Sequence, residues 1–256
     1  MKKNYIIALI TLLTLASCGK SKEEIELEKA KVELEKVKLE LVEKKENEIK
    51  AEKQRQIQAV KNEQIKQHEQ KINVGKQKRK TEFQNALNHA YSALTKAKEN
   101  YNEVNSFHLG RSVTTKNKQL NEAQKQINEM SEYVQNVKNE IAELELIKTF
   151  EFQKSPLNVV NHLFFSAKNA DFSKLRYLCD PYAECDNDVE RLCFIGMLPK
   201  SKQDDFIMSL KNGRIIGNPI IKGDIAEVEF AFGQSANRLE KMTLINRMGY
   251  WYLSGF

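Results

Sequence analysis

Helix-breaking residues are confined almost entirely to the last hundred residues of this chain. All four prolines lie after residue 155, all seven aspartates lie after residue 170, and only Gly75 and Gly110 occur between residues 20 and 195. Proline removes a helical hydrogen bond, glycine weakens a helix, and aspartate favours caps and turns. The part of the chain before the first proline is therefore predicted to be helical, with a domain boundary near residues 154–156.

A seven-residue repeat of leucine opens the predicted helical part. Leu27, Leu34 and Leu41 recur at this interval, as the core positions of a coiled coil do. The repeat drifts after residue 42, and we predict a long charged helix that ends at Gly75. This helix either joins a bundle, pairs with another copy of itself, or stands alone as a stalk. The basic run at residues 76–80 is expected to form a solvated turn, with a contact to lipid headgroups or an acidic partner as the alternative.

Two further apolar repeats predict an antiparallel helical hairpin over residues 79–153. They are joined by a short segment around Gly110, a residue type that commonly ends helices. The first repeat consists of Phe83, Leu87, Ala90, Leu94, Ala97, Tyr101 and Val104, and the second of Leu120, Ala123, Ile127, Met130, Val134, Val137, Ile141 and Leu144.

The pattern changes after Pro156, where short amphipathic stretches precede strands. Pro156 predicts the first turn of a helix with Ser155 as its cap, and further short helices are expected over residues 171–178 and around 206–210. Residues 225–232 then alternate apolar and acidic side chains, as a strand with one buried face does. Further strands are predicted over residues 242–247 and 249–253. Helices followed by an antiparallel sheet predict the α+β class.

The N-terminus has the features of a secretion signal. Lys2 and Lys3 precede an apolar run of about eleven residues, which is too short for the roughly 20 residues of a membrane-spanning helix, and then Leu15-Ala16-Ser17-Cys18 follow. This pattern resembles the lipobox of bacterial lipoproteins. The resemblance implies cleavage before Cys18 and acyl chains, such as palmitate, on that residue. Gly19 rather than aspartate at the next position favours the outer membrane, and the face of that membrane stays open. Residues 20–24 resemble the export tags of surface lipoproteins in Bacteroidetes, and the first solvated turn of a charged helix is the alternative.

Three cysteines remain once Cys18 carries lipid: Cys179, Cys185 and Cys193. An oxidising compartment favours one disulfide, and three single pairings are open. We prefer Cys179 with Cys193, because both follow a leucine in helix-like contexts and flank a polar loop. Closing a loop of about 15 residues stabilises a protein by roughly 3 kcal/mol.

The sequence does not predict a metal site or a catalytic site. The cysteine spacing does not fit zinc, and the acidic residues of the segment 180–190 lack the glycine and the closing glutamate of a calcium loop, so we expect a solvated loop. The four histidines are scattered and form no triad with a nucleophile. They are expected to be solvated or to cap helices, and they are His68, His89, His108 and His162.

The C-terminal segment carries a second resemblance. The motifs Gly223-Asp224-Ile225-Ala226-Glu227-Val228 and Gly249-Tyr250-Trp251-Tyr252-Leu253 resemble the cystatin-like, nuclear-transport-factor-2-like cone of small bacterial lipoproteins. The resemblance implies a bent sheet wrapped on helices, and a candidate pocket with Tyr177, Trp251 and Tyr252. Some such cones are enzymes, and here only Asp171, Tyr177 and Tyr252 are candidate acids or bases.

We therefore predict four segments: a signal peptide (1–17), a charged long helix or coiled coil (18–78), the helical hairpin (79–153) and a cystatin-like domain (154–256). The formal net charge of +6 is mild for a chain with 30% charged residues and does not indicate nucleic-acid binding. The predicted role is a non-enzymatic envelope module without cofactor. It is anchored by lipid, presented on a coiled coil through which copies of the chain could associate, and directed at a protein or glycan partner. A ligand-binding or catalytic cone and an envelope tether are the alternatives.

Overall fold

The computed structural model describes residues 22–106, 113–145 and 147–256, and the chain divides into two compact units, Met1–Ile65 and Lys66–Phe256. The α-helices are α1 (Lys22–Ser106), α2 (Val113–Glu143), α3 (Pro156–Asn169), α4 (Asn187–Cys193) and α5 (Lys200–Leu210). Short 3-10 helices cover Glu151–Lys154, Leu175–Leu178 and Ile195–Met197. The strands are β1 (Arg214–Ile215), β2 (Ile220–Lys222), β3 (Ile225–Phe232), β4 (Arg238–Arg247) and β5 (Tyr250–Gly255).

In the first unit, the described residues 22–65 all belong to α1. Their sequence is rich in glutamate and lysine, which are good helix formers, and contains no proline or glycine. The leucines of the seven-residue repeat are exposed, with 60% of Leu27, 58% of Leu34 and 52% of Leu41 accessible to solvent. The described residues therefore leave this apolar stripe uncovered.

The prediction that the first helix ends at Gly75 is wrong, because α1 continues through this residue to Ser106. Gly75 is buried, and a Cβ added there would lie 2.7 Å from the carbonyl carbon of Tyr182 and 2.9 Å from its Cα. Glycine thus allows α1 to approach the backbone of the segment after Cys179, a role that outweighs its low helix propensity. The basic run 76–80 is accordingly helical rather than a turn.

The second half of α1 and α2 run antiparallel, as the two apolar repeats predict. Lys116 donates a hydrogen bond to the carbonyl of Asn105 at one end, and Lys76 donates one to the carbonyl of Glu145 at the other. Residues of both repeats enter the hydrophobic core, which includes Phe83, Leu87, Ala90, Val134 and Val137. The predicted turn around Gly110 falls at residues 107–112, outside the described residues.

The sheet is antiparallel, with β3 paired to β1 and β2 on one side and to β4 on the other, and with β5 beyond β4. Strand β3 shows the predicted alternation, because Ala226, Val228 and Phe230 are buried while Glu227 and Glu229 are exposed. The strand predicted over residues 242–247 lies within β4, and the strand predicted over residues 249–253 corresponds to β5, which begins one residue later, at Tyr250.

Helix α3 packs its apolar face on this sheet. Val159, Val160 and Leu163 are fully buried, and the rings of Phe164 and Phe230 lie 5.7 Å apart. Burial of one such side chain stabilises the fold by roughly 1.5–3 kcal/mol. Pro156 is at the start of this helix as predicted, although Ser155 makes no side-chain capping bond.

Three features between α3 and β3 differ from the prediction. Asp171 does not begin a helix, because its carboxylate accepts hydrogen bonds from the backbone and the hydroxyl of Ser173 and holds a turn, so only Leu175–Leu178 is helical. The segment predicted as a polar loop contains helix α4, which Asp186 caps by accepting a hydrogen bond from the Val189 N–H. Strands β1 and β2 were not predicted.

The architecture is mixed helix and sheet and fits the α+β class broadly: a long N-terminal helix, then a helical part and a five-stranded antiparallel sheet. Across the described ranges, each helix is either too short or too polar to span a lipid bilayer.

Candidate functional site

A cleft of about 50 Å³ opens within the second unit, between α1, α2 and the segment that follows Arg176. This volume has room for a few water-sized groups. Four cationic side chains line it, those of Lys76, Arg79, Lys148 and Arg176. The carboxylates of Glu140 and Glu143 face them, so the cleft carries an excess of positive charge.

Arg79 forms the buried end of the cleft. Only 7% of this residue is exposed, and it lies one helical turn after Gly75, so the close approach of α1 brings it to the segment after Cys179. Its Nη2 donates to the carbonyl of Asp180 at 2.5 Å and lies 3.9 Å from the Cys185 sulfur. Its guanidinium lies 5.6 Å from the centre of the Phe194 ring, a cation–π arrangement.

Arg176 lines the cleft together with two glutamates of α2. Its guanidinium pairs with Glu143 and, at 3.3 Å, with Glu140. Burial raises the pKa of the Glu140 carboxyl, while the charge of Arg176 opposes this rise. Arg176 also lies 5.8 Å from the centre of the Tyr177 ring.

Three atoms of this cleft are buried without a hydrogen-bond partner within the described part of the chain. They are the Nε atoms of Arg79 and Arg176 and the Oε2 atom of Glu140. Buried polar atoms are normally satisfied, because an unsatisfied one costs about 1–3 kcal/mol. The two Nε groups are donors, and both belong to arginines that line the cleft.

A second charged cluster fixes the segment after Cys179. The carboxylate of Asp180 is fully buried and accepts two hydrogen bonds from Arg247, which also pairs with Glu184 at 2.6 Å. The Arg247 guanidinium lies 4.1 Å from the centre of the Tyr182 ring. Burial favours the neutral form of Arg247, but the hydrogen bonds and charges of Asp180 and Glu184 outweigh it and raise its pKa.

His68 of α1 was expected to be solvated or to cap a helix. It instead joins this second cluster. Its Nδ1 lies 2.7 Å from the Tyr182 hydroxyl. Burial and the charge of Arg247 lower the pKa of His68, which favours the neutral ring. His162 is likewise half-buried, stacked at 4.2 Å on the ring of Phe152.

The three predicted cysteines lie together. Cys179 and Cys193 are at disulfide-bonding distance, with their Cα atoms 5.8 Å apart, as predicted. Cys185 is a free thiol, and its sulfur lies 3.9 Å from that of Cys179. Burial raises the pKa of the Cys185 thiol, against the opposing effect of Arg79.

The predicted pocket residues separate in the structure. Tyr177 and Tyr252 line the cleft, whereas Trp251 belongs to the hydrophobic core. Burial raises the pKa of Tyr252 to about 12, which keeps it a neutral phenol. Asp171 does not line the cleft; its pKa is lowered by the hydrogen bonds from Ser173.

The acidic segment 180–190 is not the solvated loop that was expected. Asp180 is buried in its ion pair, and Asp186 caps α4 and accepts a hydrogen bond from the Phe256 N–H at 2.9 Å. Among the residues the structure describes, no group of histidine, cysteine, aspartate or glutamate could hold a metal ion. Cys18, the predicted lipidation site, lies outside the described residues.

Arg79 and Arg247 were not predicted as site residues. A signal for Arg79 exists, since Gly75, Arg79, Phe83 and Leu87 follow one another at four-residue spacing and all are buried, so they share one helix face. No comparable signal marks Arg247, whose partner is 67 residues away.

Comparisons with protein-family models, with curated proteins and with solved structures found no match to this chain.

Proposed function

We propose that this protein is a lipoprotein of the cell envelope, anchored in the outer membrane through acyl chains on Cys18, and that it works as a non-enzymatic binding module. The support for the anchor is the N-terminal sequence, in which two lysines, a short apolar run and Leu15-Ala16-Ser17 precede the cysteine. Several acyl chains anchor a protein stably, because each buried CH₂ contributes roughly 0.8 kcal/mol.

We further propose that the C-terminal part is a cystatin-like cone and that α1 presents it as a charged, coiled-coil helix. Helix α3 packed on an antiparallel sheet supports the first proposal. The exposed leucine repeat supports the second.

One observation carries the binding role: two arginines and two lysines line the cleft against only two carboxylates, and the arginines are Arg79 and Arg176. Guanidinium groups bind planar oxyanions through paired hydrogen bonds. The ligand class is therefore a small molecule, or the end of a peptide or glycan, that carries a carboxylate or another oxyanion. Lys76 and Lys148 add positive charge at the cleft.

Binding is favoured over catalysis because only two of the three candidate acids and bases, Tyr177 and Tyr252, line the cleft. Tyr252 is neutral over the physiological range, since burial raises its pKa to about 12. The carboxylate of Asp171 is engaged with Ser173, apart from Tyr177 and Tyr252. A general acid or base needs to reach its substrate with a pKa near the working pH.

Calorimetric titration of the full-length chain with citrate and with inorganic phosphate tests the oxyanion site. We expect saturable binding, and Lys148→Gln should weaken it about two- to fivefold, as the loss of one exposed charge does. Lys80→Gln is the matched control, because Lys80 is an exposed lysine of α1 that does not line the cleft. Absence of binding by both anions, or equal losses in the two variants, would rule out this site.

A further inference from the structure

The exposed stripe on the N-terminal part of α1 has the geometry of a coiled-coil seam. Leu27, Leu34 and Leu41 occupy a positions, and Ala30 and Val37 occupy the intervening d positions. Val37 is 49% exposed, like the leucines beside it. Leaving such a stripe in water forfeits the free energy of its burial, roughly 25 cal/mol per Å² of apolar surface. A partner helix is therefore expected over this stretch.

The charges that flank the seam are sorted by position. Every g position next to the seam is a glutamate and every e position is a lysine, and all six residues are exposed. They are Glu26, Glu33 and Glu40 at g, and Lys31, Lys38 and Lys45 at e.

The glutamate at each g position and the lysine at the next e position are not partners within one helix. Each glutamate precedes its lysine by five residues, as Glu26 precedes Lys31, whereas side chains on one helix meet at spacings of three and four. A spacing of five from g to the next e is the spacing at which two parallel helices of a coiled coil exchange salt bridges. The g-to-e spacing thus matches contacts between chains, although each of these glutamates also has a lysine three or four residues away on its own helix, as Glu26 has Lys29.

The same arrangement of charges favours a parallel over an antiparallel orientation of two paired copies of α1. Two parallel copies in register place Glu26 of one chain opposite Lys31 of the other, and the next two pairs repeat this match. Two antiparallel copies place g opposite g and e opposite e, which brings glutamate to glutamate and lysine to lysine. Like charges at these positions destabilise a coiled coil, so the antiparallel arrangement is disfavoured.

We propose that the segment 26–45 of α1 binds further copies of this chain as a parallel, in-register coiled coil. The seam stops near Lys45, because the next aliphatic residues, Ile49, Ile57 and Val60, no longer keep the seven-residue interval. The inference rests on the coiled-coil role proposed for α1, and it is independent of the cleft and of the anchor at Cys18.

Cysteine cross-linking of the full-length chain in detergent tests register and direction. In a Cys185→Ser background, Leu27→Cys places a thiol at the end of the seam, where only parallel in-register copies bring residue 27 beside itself. The matched control is Lys29→Cys, a c position that faces away from the seam. We expect about tenfold more interchain disulfide for Leu27→Cys; equal yields from the two variants would overturn the proposal.

Charge exchange tests the pairing and uses sedimentation velocity as the readout. Replacing all three e lysines by glutamate (Lys31→Glu, Lys38→Glu, Lys45→Glu) should weaken association about tenfold or more, because every g–e contact becomes repulsive. Adding Glu26→Lys, Glu33→Lys and Glu40→Lys to that variant should restore association. Far-UV circular dichroism checks that α1 stays helical. A monomeric wild-type chain, or a restored variant that remains dissociated, would contradict the proposed pairing.

Discussion

Arg247 donates two hydrogen bonds to the fully buried carboxylate of Asp180, from Nε to Oδ1 at 3.1 Å and from Nη2 to Oδ2 at 2.8 Å. The pair joins the end of β4 to the segment after Cys179, and that same segment receives α1 at Gly75 and Arg79. The ion pair between Arg247 and Asp180 therefore holds the segment after Cys179 in place. Helix α1 packs against this segment, and the cleft lies between them.

Removing Arg247 is expected to lower the free energy of unfolding. Arg247→Met leaves the buried Asp180 carboxylate without its cation, and loss of one partner of a buried pair costs about 3–5 kcal/mol. Glu184→Gln is the control, because this carboxylate is 60% exposed and its loss should cost under about 1 kcal/mol. Urea unfolding of both variants measures the difference, and similar losses would show that Asp180 does not depend on Arg247.

Gly75→Ala is expected to destabilise the protein although alanine is the better helix former by about 1 kcal/mol. The new Cβ would lie within van der Waals overlap of the Tyr182 backbone, and overpacking of this kind costs roughly 1–3 kcal/mol. Val74→Ala is the control, because Val74 is 70% exposed and its replacement should change stability by less than about 0.5 kcal/mol. A more stable Gly75→Ala chain would mean that the helix does not press on this segment.

The free thiol at Cys185 is expected to replace Cys193 when that residue is removed. Its sulfur lies 3.9 Å from that of Cys179, so a small movement brings the two sulfurs to bonding distance. Peptide mapping of non-reduced Cys193→Ser should find a Cys179–Cys185 disulfide. Cys185→Ser is the control and should keep the Cys179–Cys193 bridge; a Cys193→Ser chain with two free thiols after oxidation would refute the prediction.

His162 is expected to make the protein less stable in mild acid. Burial, together with the charge of Lys174, lowers its pKa below 6.5 in the folded chain, against an opposing effect of Asp171. Below pH 6.5 the unfolded chain binds a proton that the folded chain does not, so the free energy of unfolding falls as the pH drops from 6.5 towards the lowered pKa.

His162→Phe keeps an aromatic ring against Phe152 and removes the titration. The difference in unfolding free energy between about pH 7.5 and pH 5.5 should therefore be smaller in this variant than in the wild type. His89→Gln, at an exposed position of α1, is the control. If His162→Phe and the wild type lose the same stability in acid, His162 does not carry this dependence.

The features that follow from local periodicity were predictable. The apolar repeats of the hairpin, the alternation in β3 and the helix that begins at Pro156 each depend on spacing within one element, and the structure has all three. Asp186 could also have been read as a helix cap, but the acidic residues around it favoured a loop.

The features that depend on contacts between distant residues were not predictable. Gly75 looks like a helix end because its neighbour in space, Tyr182, lies far away in sequence. The basic run 76–80 looks solvated for the same reason, although Lys78 donates to the carbonyl of Ala183. A single sequence does not reveal which distant segment packs against a helix face. The cleft with its two arginines forms only because the segment after Cys179 packs against α1.

The membrane anchor proposed at Cys18 is tested by the mass of the intact protein purified from bacterial membranes. We expect a chain that begins at Cys18 and carries acyl groups there, and a Cys18→Ser variant that keeps residues 1–17 or leaves the membrane fraction. A wild-type chain that begins at Met1, or one with an unmodified Cys18 thiol, would show that Cys18 is not the anchor.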